Sequence, residues 1–224
     1  CLSCRKCIGC GICVEICPKD AIEYDQTDEQ IVLKVDHIIY AVELEEKLPR
    51  REYQYQNVVT QLEFERMLSE SGPYGGLILR PYDGDIPKKI AFIQADDDEY
   101  APLAFEFLVE EAKSAKGKGI DTTIFAKRST EDTADIKSVN IRDMTITEVA
   151  ETKNLRLKYV VEGETKEKEE EFEMVVLSSG FSIPEYGREL SKLIGVKPEE
   201  IKVRMPTLEI EILKTEKDGV FVAV

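Results

Sequence analysis

Apolar residues recur along the chain in short runs whose spacing predicts a mixed α/β domain. Residues 88–94 and 121–126 are apolar runs of the length found in buried parallel strands. Between them, residues 101–116 carry apolar side chains at helical spacing, and Gly117 and Gly119 end the pattern. A strand, a helix and a strand within about 40 residues predict a βαβ unit with a right-handed crossover.

A later group of segments predicts an antiparallel meander. Residues 144–149, 155–161 and 170–176 are rich in β-forming side chains, and two polar turns join them. The last of these segments runs on to Ser178, and we expect it to return to the parallel sheet.

Shorter patterned segments flank this core. Thr60 and Glu63 have the spacing of a capping box, which predicts a short amphipathic helix within residues 58–69. A further helix is predicted at residues 185–194, ended by Gly195. Apolar runs predict short strands at residues 20–24, 31–35, 37–41 and 219–224.

A parallel βαβ layer interrupted by a meander is the outline of the pyridine-nucleotide domain in flavoproteins with two dinucleotide domains. Residues 31–224 are therefore predicted to form such an α/β domain. The domain needs a glycine-rich turn after a strand, where backbone N–H groups approach the pyrophosphate. After residue 94 the chain instead has an acidic run, Asp96 to Glu99, which repels phosphate. We therefore expect a degenerate domain that does not bind NAD(P) at this strand.

The composition argues against several classes of function. Of 224 residues, 42% are hydrophobic and 33% are charged, as in ordinary globular proteins. A net charge of -15 opposes binding to nucleic acid or to an anionic membrane surface. No apolar run approaches the roughly 18–20 residues of a membrane span, and no secretory signal is visible. The single histidine, His37, lies in an apolar stretch and is interpreted as structural.

All six cysteines lie within the first seventeen residues. Four of them follow the C-x2-C-x2-C-x3-C-P spacing of a [4Fe–4S] ligand run; they are Cys7, Cys10, Cys13 and Cys17. Gly9 and Gly11 let backbone N–H groups approach the sulfides, and Pro18 ends the short helix after the last cysteine. Residues 1–30 are therefore predicted to be a ferredoxin-type iron–sulfur module.

Two other uses of clustered cysteines fit this pattern less well. A disulfide framework needs cysteines spread over a small secreted domain, whereas these are confined to one end of the chain. A structural zinc site usually joins two C-x2-C pairs across a longer loop. The third consecutive x2 spacing and the terminal Cys-Pro argue against zinc, and clustered thiols fit a reducing cytoplasm.

The number of clusters stays open at this point. In two-cluster ferredoxins the fourth cysteine of a run binds the other cluster, and eight thiolates are needed. Either Cys17 closes the same cluster, or residues outside this chain complete a second one. Cys1 and Cys4 are surplus to the motif and could serve a second cluster, a partner's metal, or remain free thiols.

The chain resembles the iron–sulfur flavoprotein component of heterodisulfide reductase, found in methanogens and their relatives. The most specific resemblance is in residues 57–76, which read NVVTQLEFERMLSESGPYGG. Further resemblance lies in the cysteine run with Ala21 and Ile22, and in residues 80–84, 87–94 and 173–180.

This resemblance implies a ferredoxin module joined to a thioredoxin-reductase-like flavin domain. It implies an electron-transfer role in a multisubunit complex of an anaerobic cytoplasm, with other redox subunits as partners. The chain departs from the family in lacking the N-terminal flavin-binding half with its glycine-rich fingerprint. Where the family has Ala-Thr-Gly after the strand at 37–41, this chain has Ala41-Val42-Glu43. The resemblance therefore predicts a partial and degenerate member or fragment.

Three functions follow as hypotheses. The first is a non-catalytic electron-transfer subunit that uses one [4Fe–4S] cluster, with a second cluster as an option. The second is one half of a split, bifurcating flavoenzyme in which a partner chain completes the FAD site. The third is an adaptor whose cluster is structural. No residue is predicted to act as a general acid or base.

Overall fold

The computed structural model describes residues 11–23, 25, 27–42, 44–47, 52–95, 100–127, 133, 135–197 and 212–223. The chain divides into two compact units, and the division lies between Asp36 and His37. The described part of the first unit contains one helix, α1, Ile12–Ile16. No strand forms at residues 20–23 or 31–35, contrary to the prediction. A short apolar run forms a strand only when a neighbouring strand pairs with it, and here none of the described segments does so.

The second unit contains three sheets in its described part. The largest has seven strands, β3 Val58–Thr60, β4 Lys89–Gln94, β5 Asp121–Ala126, β6 Lys137–Glu148, β7 Leu155–Val161, β8 Glu167–Phe172 and β9 Met174–Ser178. The two smaller sheets use β1 Ile38–Tyr40, β2 Glu45–Glu46, β10 Phe181–Ser182, β11 Ile212–Lys214 and β12 Val220–Ala223. In its described residues, this unit has the helices α2 Gln61–Leu68, α3 Ala101–Gly117 and α4 Glu185–Ile194, and a 3-10 turn spans Glu52–Gln54. None of the described helices is long and apolar enough to cross a membrane.

The large sheet confirms the predicted α/β class. Its strand order is β3-β9-β4-β5-β6-β7-β8. The pairs from β3 to β6 are parallel, and the pairs β6–β7 and β7–β8 are antiparallel. Strand β9 follows the meander in the chain but enters the sheet between β3 and β4. The βαβ unit, the meander and the returning strand therefore all form, with two differences from the prediction. The first meander strand begins at Lys137 and not at residue 144, and the segment predicted at 170–176 is divided at Glu173 between β8 and β9.

Two layers cover the parallel strands. On one face, the apolar sides of α2 and α3 pack against the sheet. There the rings of Phe64 and Phe92 meet edge to face, with 5.3 Å between their centroids. On the other face, Phe125 packs against Tyr159 and Phe172 of the meander at 5.0 and 5.7 Å. Fully burying a side chain of this size contributes roughly 1.5–3 kcal/mol. The core is therefore two apolar layers separated by the sheet.

A bulge in β6 brings the meander back over the sheet. The register of β6 with β7 shifts between Ile141 and Asp143. A bulge bends its strand and increases its twist. As a result, residues 137–140 pair with β5, while the rest of the strand leads to a turn that reaches the start of β3.

Asn57 ties that turn to the parallel sheet. Its side chain is fully buried, its Nδ2 donates to the Lys153 carbonyl at 3.1 Å, and its Oδ1 accepts from the Tyr82 N–H at 3.1 Å. Its carbonyl accepts from the Val175 N–H at 2.9 Å. One side chain therefore joins the β6–β7 turn and the loop before β4 to the start of β3.

The helix start predicted at Thr60 is confirmed. The Thr60 hydroxyl accepts from the Glu63 N–H at 3.3 Å, and the Glu63 carboxylate accepts from the Thr60 N–H at 3.1 Å. Residues 58–60, predicted as part of the helix, instead form β3, because they pair in parallel with β9. The predicted helices at 101–116 and 185–194 also form, and Gly195 ends the latter at φ +77°.

A carboxyl group is buried in α3. The side chain of Glu111 is only 6% exposed, and its Oε2 has no hydrogen-bond partner among the residues that the structure describes. Burial, and then the nearby Glu65 and Glu46, raise its pKa to about 9. The folded protein therefore keeps this carboxyl protonated at neutral pH.

We expect Asn57→Ala to lower the free energy of unfolding by about 2–3 kcal/mol, because it leaves the Tyr82 N–H and the Lys153 carbonyl without their partner. Chemical denaturation followed by circular dichroism measures the change. The control is Gln56→Ala, which removes the exposed amide side chain of the preceding residue and should change stability by less than about 0.5 kcal/mol. Equal losses in the two variants would contradict the assigned role of Asn57.

We expect Glu111→Gln to stabilise the protein increasingly as pH rises. Between the ordinary pKa of 4.5 and the folded value of about 9, the folded chain holds a proton that the unfolded chain releases, so stability falls as pH rises. The variant does not bury a carboxylate, so these pKa values predict that it is more stable than the natural protein by up to about 4–5 kcal/mol at pH 8 and by about 1 kcal/mol at pH 5. Denaturation midpoints at both pH values test it. Glu110→Gln, on the exposed side of the same helix, should show no such trend.

Candidate metal centre

The cysteine segment begins its described part at Gly11, which starts α1 with φ +77°. Glycine adopts this left-handed conformation without strain, so Gly11, which follows Cys10 in the sequence, allows a sharp turn. The Val14 N–H donates to the Gly11 carbonyl at 2.9 Å and closes the first turn. The chain therefore makes a tight helical turn at the centre of the cysteine motif.

Two of the predicted ligands lie at the two ends of this coil. Cys13 is the second residue of α1, and Cys17 caps its C-terminus with φ -72° and ψ 112°. Both are half-buried and neither forms a disulfide. Pro18 explains the end of the helix, because proline forces the residue before it into an extended conformation. Cys7 and Cys10, like Cys1 and Cys4, lie outside the described residues, and their role as ligands stays a prediction.

The thiol of Cys17 is surrounded by backbone donors. The N–H of Ala21 lowers its pKa most and the N–H of Lys19 acts in the same direction; desolvation opposes them by more than the further contribution from the N–H of Asp20. Asp20 has φ +48°, which folds the chain back toward Cys17, and its N–H also donates to the Cys17 carbonyl at 3.2 Å. The thiolate, which is the form that binds metal, is therefore favoured at this position.

These features fit an iron–sulfur ligand set. Thiolates are the donors that Fe–S clusters use, and N–H groups aimed at the sulfur compensate its negative charge. The sequence predicted the ligands but not the donors from residues 19–21. The one signal that pointed to them was an aspartate two residues after Pro18, because aspartate tolerates the left-handed conformation better than most residues. In the ranges that the structure describes, no group of three or more His, Cys, Asp or Glu side chains is arranged to hold a metal.

Comparison with protein families supports this chemistry. Residues 5–23 match the model of the 4Fe-4S binding domain. That range contains Cys7, Cys10, Cys13 and Cys17.

Characterised proteins are similar to a longer part of this chain than the family model matches. The iron–sulfur subunit of CoB–CoM heterodisulfide reductase from Methanocaldococcus jannaschii is 34% identical over 221 aligned residues, which is 85% of this chain and 33% of that protein. The homologous subunit of the H(2):CoB-CoM heterodisulfide,ferredoxin reductase from Methanothermobacter thermautotrophicus is 31% identical over 248 aligned residues, 97% of this chain and 37% of that protein. Over most of its length this chain is similar to part of the heterodisulfide reductase iron–sulfur subunit. It spans about a third of the length of these relatives.

Solved structures of thioredoxin reductases are similar to the described fold. The enzyme from Lactococcus lactis is 16% identical with a TM-score of 0.42, covering 83% of this chain and 56% of that chain. The enzyme from Streptococcus pyogenes is 12% identical with a TM-score of 0.42, covering 83% and 55%.

Proposed function

We propose that this chain is an electron-transfer subunit of a heterodisulfide-reductase-like complex. The observation that carries the proposal is the cysteine run within residues 5–23, in a chain homologous to the iron–sulfur subunit of heterodisulfide reductase. The proposed ligands are Cys7, Cys10, Cys13 and Cys17, which hold one [4Fe–4S] cluster. Such a cluster supplies one-electron redox chemistry at a potential between roughly -700 and +450 mV, depending on its surroundings.

The residues around Cys17 favour this role. The N–H groups of Lys19, Asp20 and Ala21 stabilise negative charge on the Cys17 sulfur. Hydrogen bonds to the sulfurs are one of the means by which a protein sets the reduction potential of a cluster. Because these donors belong to the backbone, they do not titrate and keep the same polarity across the physiological pH range. We assign this chain no bond-making chemistry, and its proposed partners are other redox subunits in the cytoplasm.

We expect the anaerobically reconstituted chain to contain about four irons and four sulfides, and to show one one-electron transition in a potentiometric titration. Cys13→Ala should lose most of the iron and the transition, because it removes a ligand. Cys4→Ala is the matched control, since it removes a thiol outside the motif and should retain both. Iron and sulfide analysis, with the visible spectrum of the same samples, measures the difference.

Other results of this experiment would identify a different site. About eight irons, with loss of half in Cys4→Ala, would show a second cluster that includes the surplus thiols. Zinc without sulfide would overturn electron transfer. A full cluster with no redox transition, whose removal unfolds residues 11–23, would favour a structural cluster in an adaptor protein.

A second candidate function is one half of a split FAD-containing flavoenzyme completed by a partner chain. The observation that favours it is the parallel βαβ layer interrupted by an antiparallel meander, which is the outline of the pyridine-nucleotide domain in flavoproteins with two dinucleotide domains. Flavin absorption that appears only when a partner polypeptide is present would support this function. An electron relay alone predicts iron–sulfur absorption without flavin in the same complex.

A further inference from the structure

Helix α4 exposes its large apolar side chains and buries its small ones. Tyr186, Leu190 and Leu193 are 56%, 40% and 81% exposed. Their i, i+4 and i+7 spacing places them on one face of the helix, along about 10 Å of its axis. We call these three residues the α4 stripe. An amphipathic surface helix normally turns such a stripe toward its own core, so the orientation of α4 is reversed.

The inner side of α4 determines this orientation. Gly187 and Ser191 are buried, and the hydroxyl of Tyr40 donates to the Gly187 carbonyl at 3.0 Å. A Cβ atom at Gly187 would lie 2.7 Å from a methyl carbon of Val42, so the helix approaches its own unit closely only because this residue is glycine. Small residues therefore make the inner contact, and the large apolar side chains of α4 face outward.

The α4 stripe differs from the scattered apolar residues of an ordinary surface. Single exposed apolar side chains are normal, whereas contiguous ones mark an interaction surface. Helices α2 and α3 each expose one large apolar side chain, Leu62 and Phe107. Among the described helices of this unit, α4 alone carries a contiguous set. The stripe is therefore a candidate contact for another polypeptide.

The charges beside the stripe indicate which polypeptide fits it. Glu185 and Glu189 lie next to the stripe on the helix surface, and Lys192 and Arg188 follow them around the helix. All four line an open groove of about 460 Å³. These four charges sum to zero, although the whole chain carries a net charge of -15. Charges farther away than about 8 Å are largely screened at physiological ionic strength, so α4 is a surface at which two copies can meet with little repulsion.

Two copies of α4 that pack antiparallel have complementary charges. With a two-fold axis near Leu190, Tyr186 of each copy is level with Leu193 of the other, and the two stripes cover each other. In this register Lys192 of one copy is level with the residue midway between Glu185 and Glu189 of the other. Each Lys192 ammonium is therefore within reach of two carboxylates, and the two Glu189 side chains near the axis each have a lysine beside them. The symmetry repeats this match on both sides of the axis.

We propose that the α4 stripe docks a second copy of this chain, which packs its own α4 antiparallel across a two-fold axis. The contact is isologous, because both copies use the same residues. It is also short, so we expect a weak dimer that depends on concentration. The proposal does not rest on the electron relay, since none of these residues is a predicted cluster ligand.

The test uses the full chain, reconstituted with iron and sulfide. It is kept anaerobic and reduced, so that its cysteines cannot cross-link two copies. Sedimentation equilibrium over a range of chain concentrations measures the dissociation constant of the dimer. We expect a reversible equilibrium between monomer and dimer, with no larger species, because an isologous contact closes on itself.

Leu193→Asp should raise the dissociation constant at least about tenfold, because it places a charge in the apolar contact. Ile86→Asp is the matched control, since Ile86 is 60% exposed in the loop before β4 and lies outside the stripe. This control should form dimers like the natural chain. Because both residues are exposed in the single chain, both variants should melt within a few degrees of the natural protein.

A pair of charge variants tests the antiparallel arrangement. Lys192→Glu alone, and Glu185→Lys combined with Glu189→Lys, should each be mainly monomeric, because like charges then face each other across the axis. A mixture of the two variants should form a heterodimer, since every facing pair is again of opposite charge. Thermal melting of each variant by itself checks that α4 still folds.

Three results would overturn the proposal. The first is a chain that stays monomeric at every concentration, which would leave the stripe to a different polypeptide. The second is a dimer that Leu193→Asp leaves intact, which would place the contact elsewhere. The third is a mixture of folded charge variants that stays monomeric, which would exclude the antiparallel pairing of α4. Iron content measured on the same samples tests the electron relay separately, so failure of one proposal does not imply failure of the other.

Discussion

The structure depends on the burial of β4 and β9 at the centre of the parallel sheet. Every residue of β9 is buried, and so are five of the six residues of β4. Parallel strands with side chains of this kind on both faces need two covering layers. The α2–α3 pair supplies one layer and the meander supplies the other. The long strand β6, its bulge and the Asn57 hydrogen bonds follow from the need to bring the meander back over the second face.

This arrangement gives structural roles to residues 57–76, a block of the sequence that resembles the heterodisulfide reductase family. Residues 57–76 contain the hydrogen-bonding hub Asn57, the capping box and the Phe64 ring in the core. Gly72 has the carbonyl oxygen of Arg66 where a side chain would begin, so a larger residue does not fit. These residues hold the sheet, the helix and the following loop together. These residues therefore stabilise the fold of the second unit.

The candidate metal centre, in contrast, depends on residues that are neighbours in the sequence. Gly11, Pro18 and Asp20 determine the backbone over one short segment, and that backbone positions Cys13, Cys17 and the N–H donors. No distant element is needed for this local geometry. The small sheet shows the reverse situation, since β1 and β12 are far apart in the chain and come together only by pairing in the tertiary structure. The two features belong to separate compact units, and each can be tested alone.

The sequence by itself determined those features that arise from neighbouring residues: α3 and α4, the helix start at Thr60, and the iron–sulfur motif. It also predicted strands at residues 20–24 and 31–35, which the described residues do not form, because a strand exists only through its partner. Only the tertiary structure decided the position of β9 between β3 and β4, the burial of Glu111 and the pairing of β1 with β12. Each depends on contacts between residues far apart in the chain. The local pattern of apolar and polar residues does not determine which other element a strand or helix packs against.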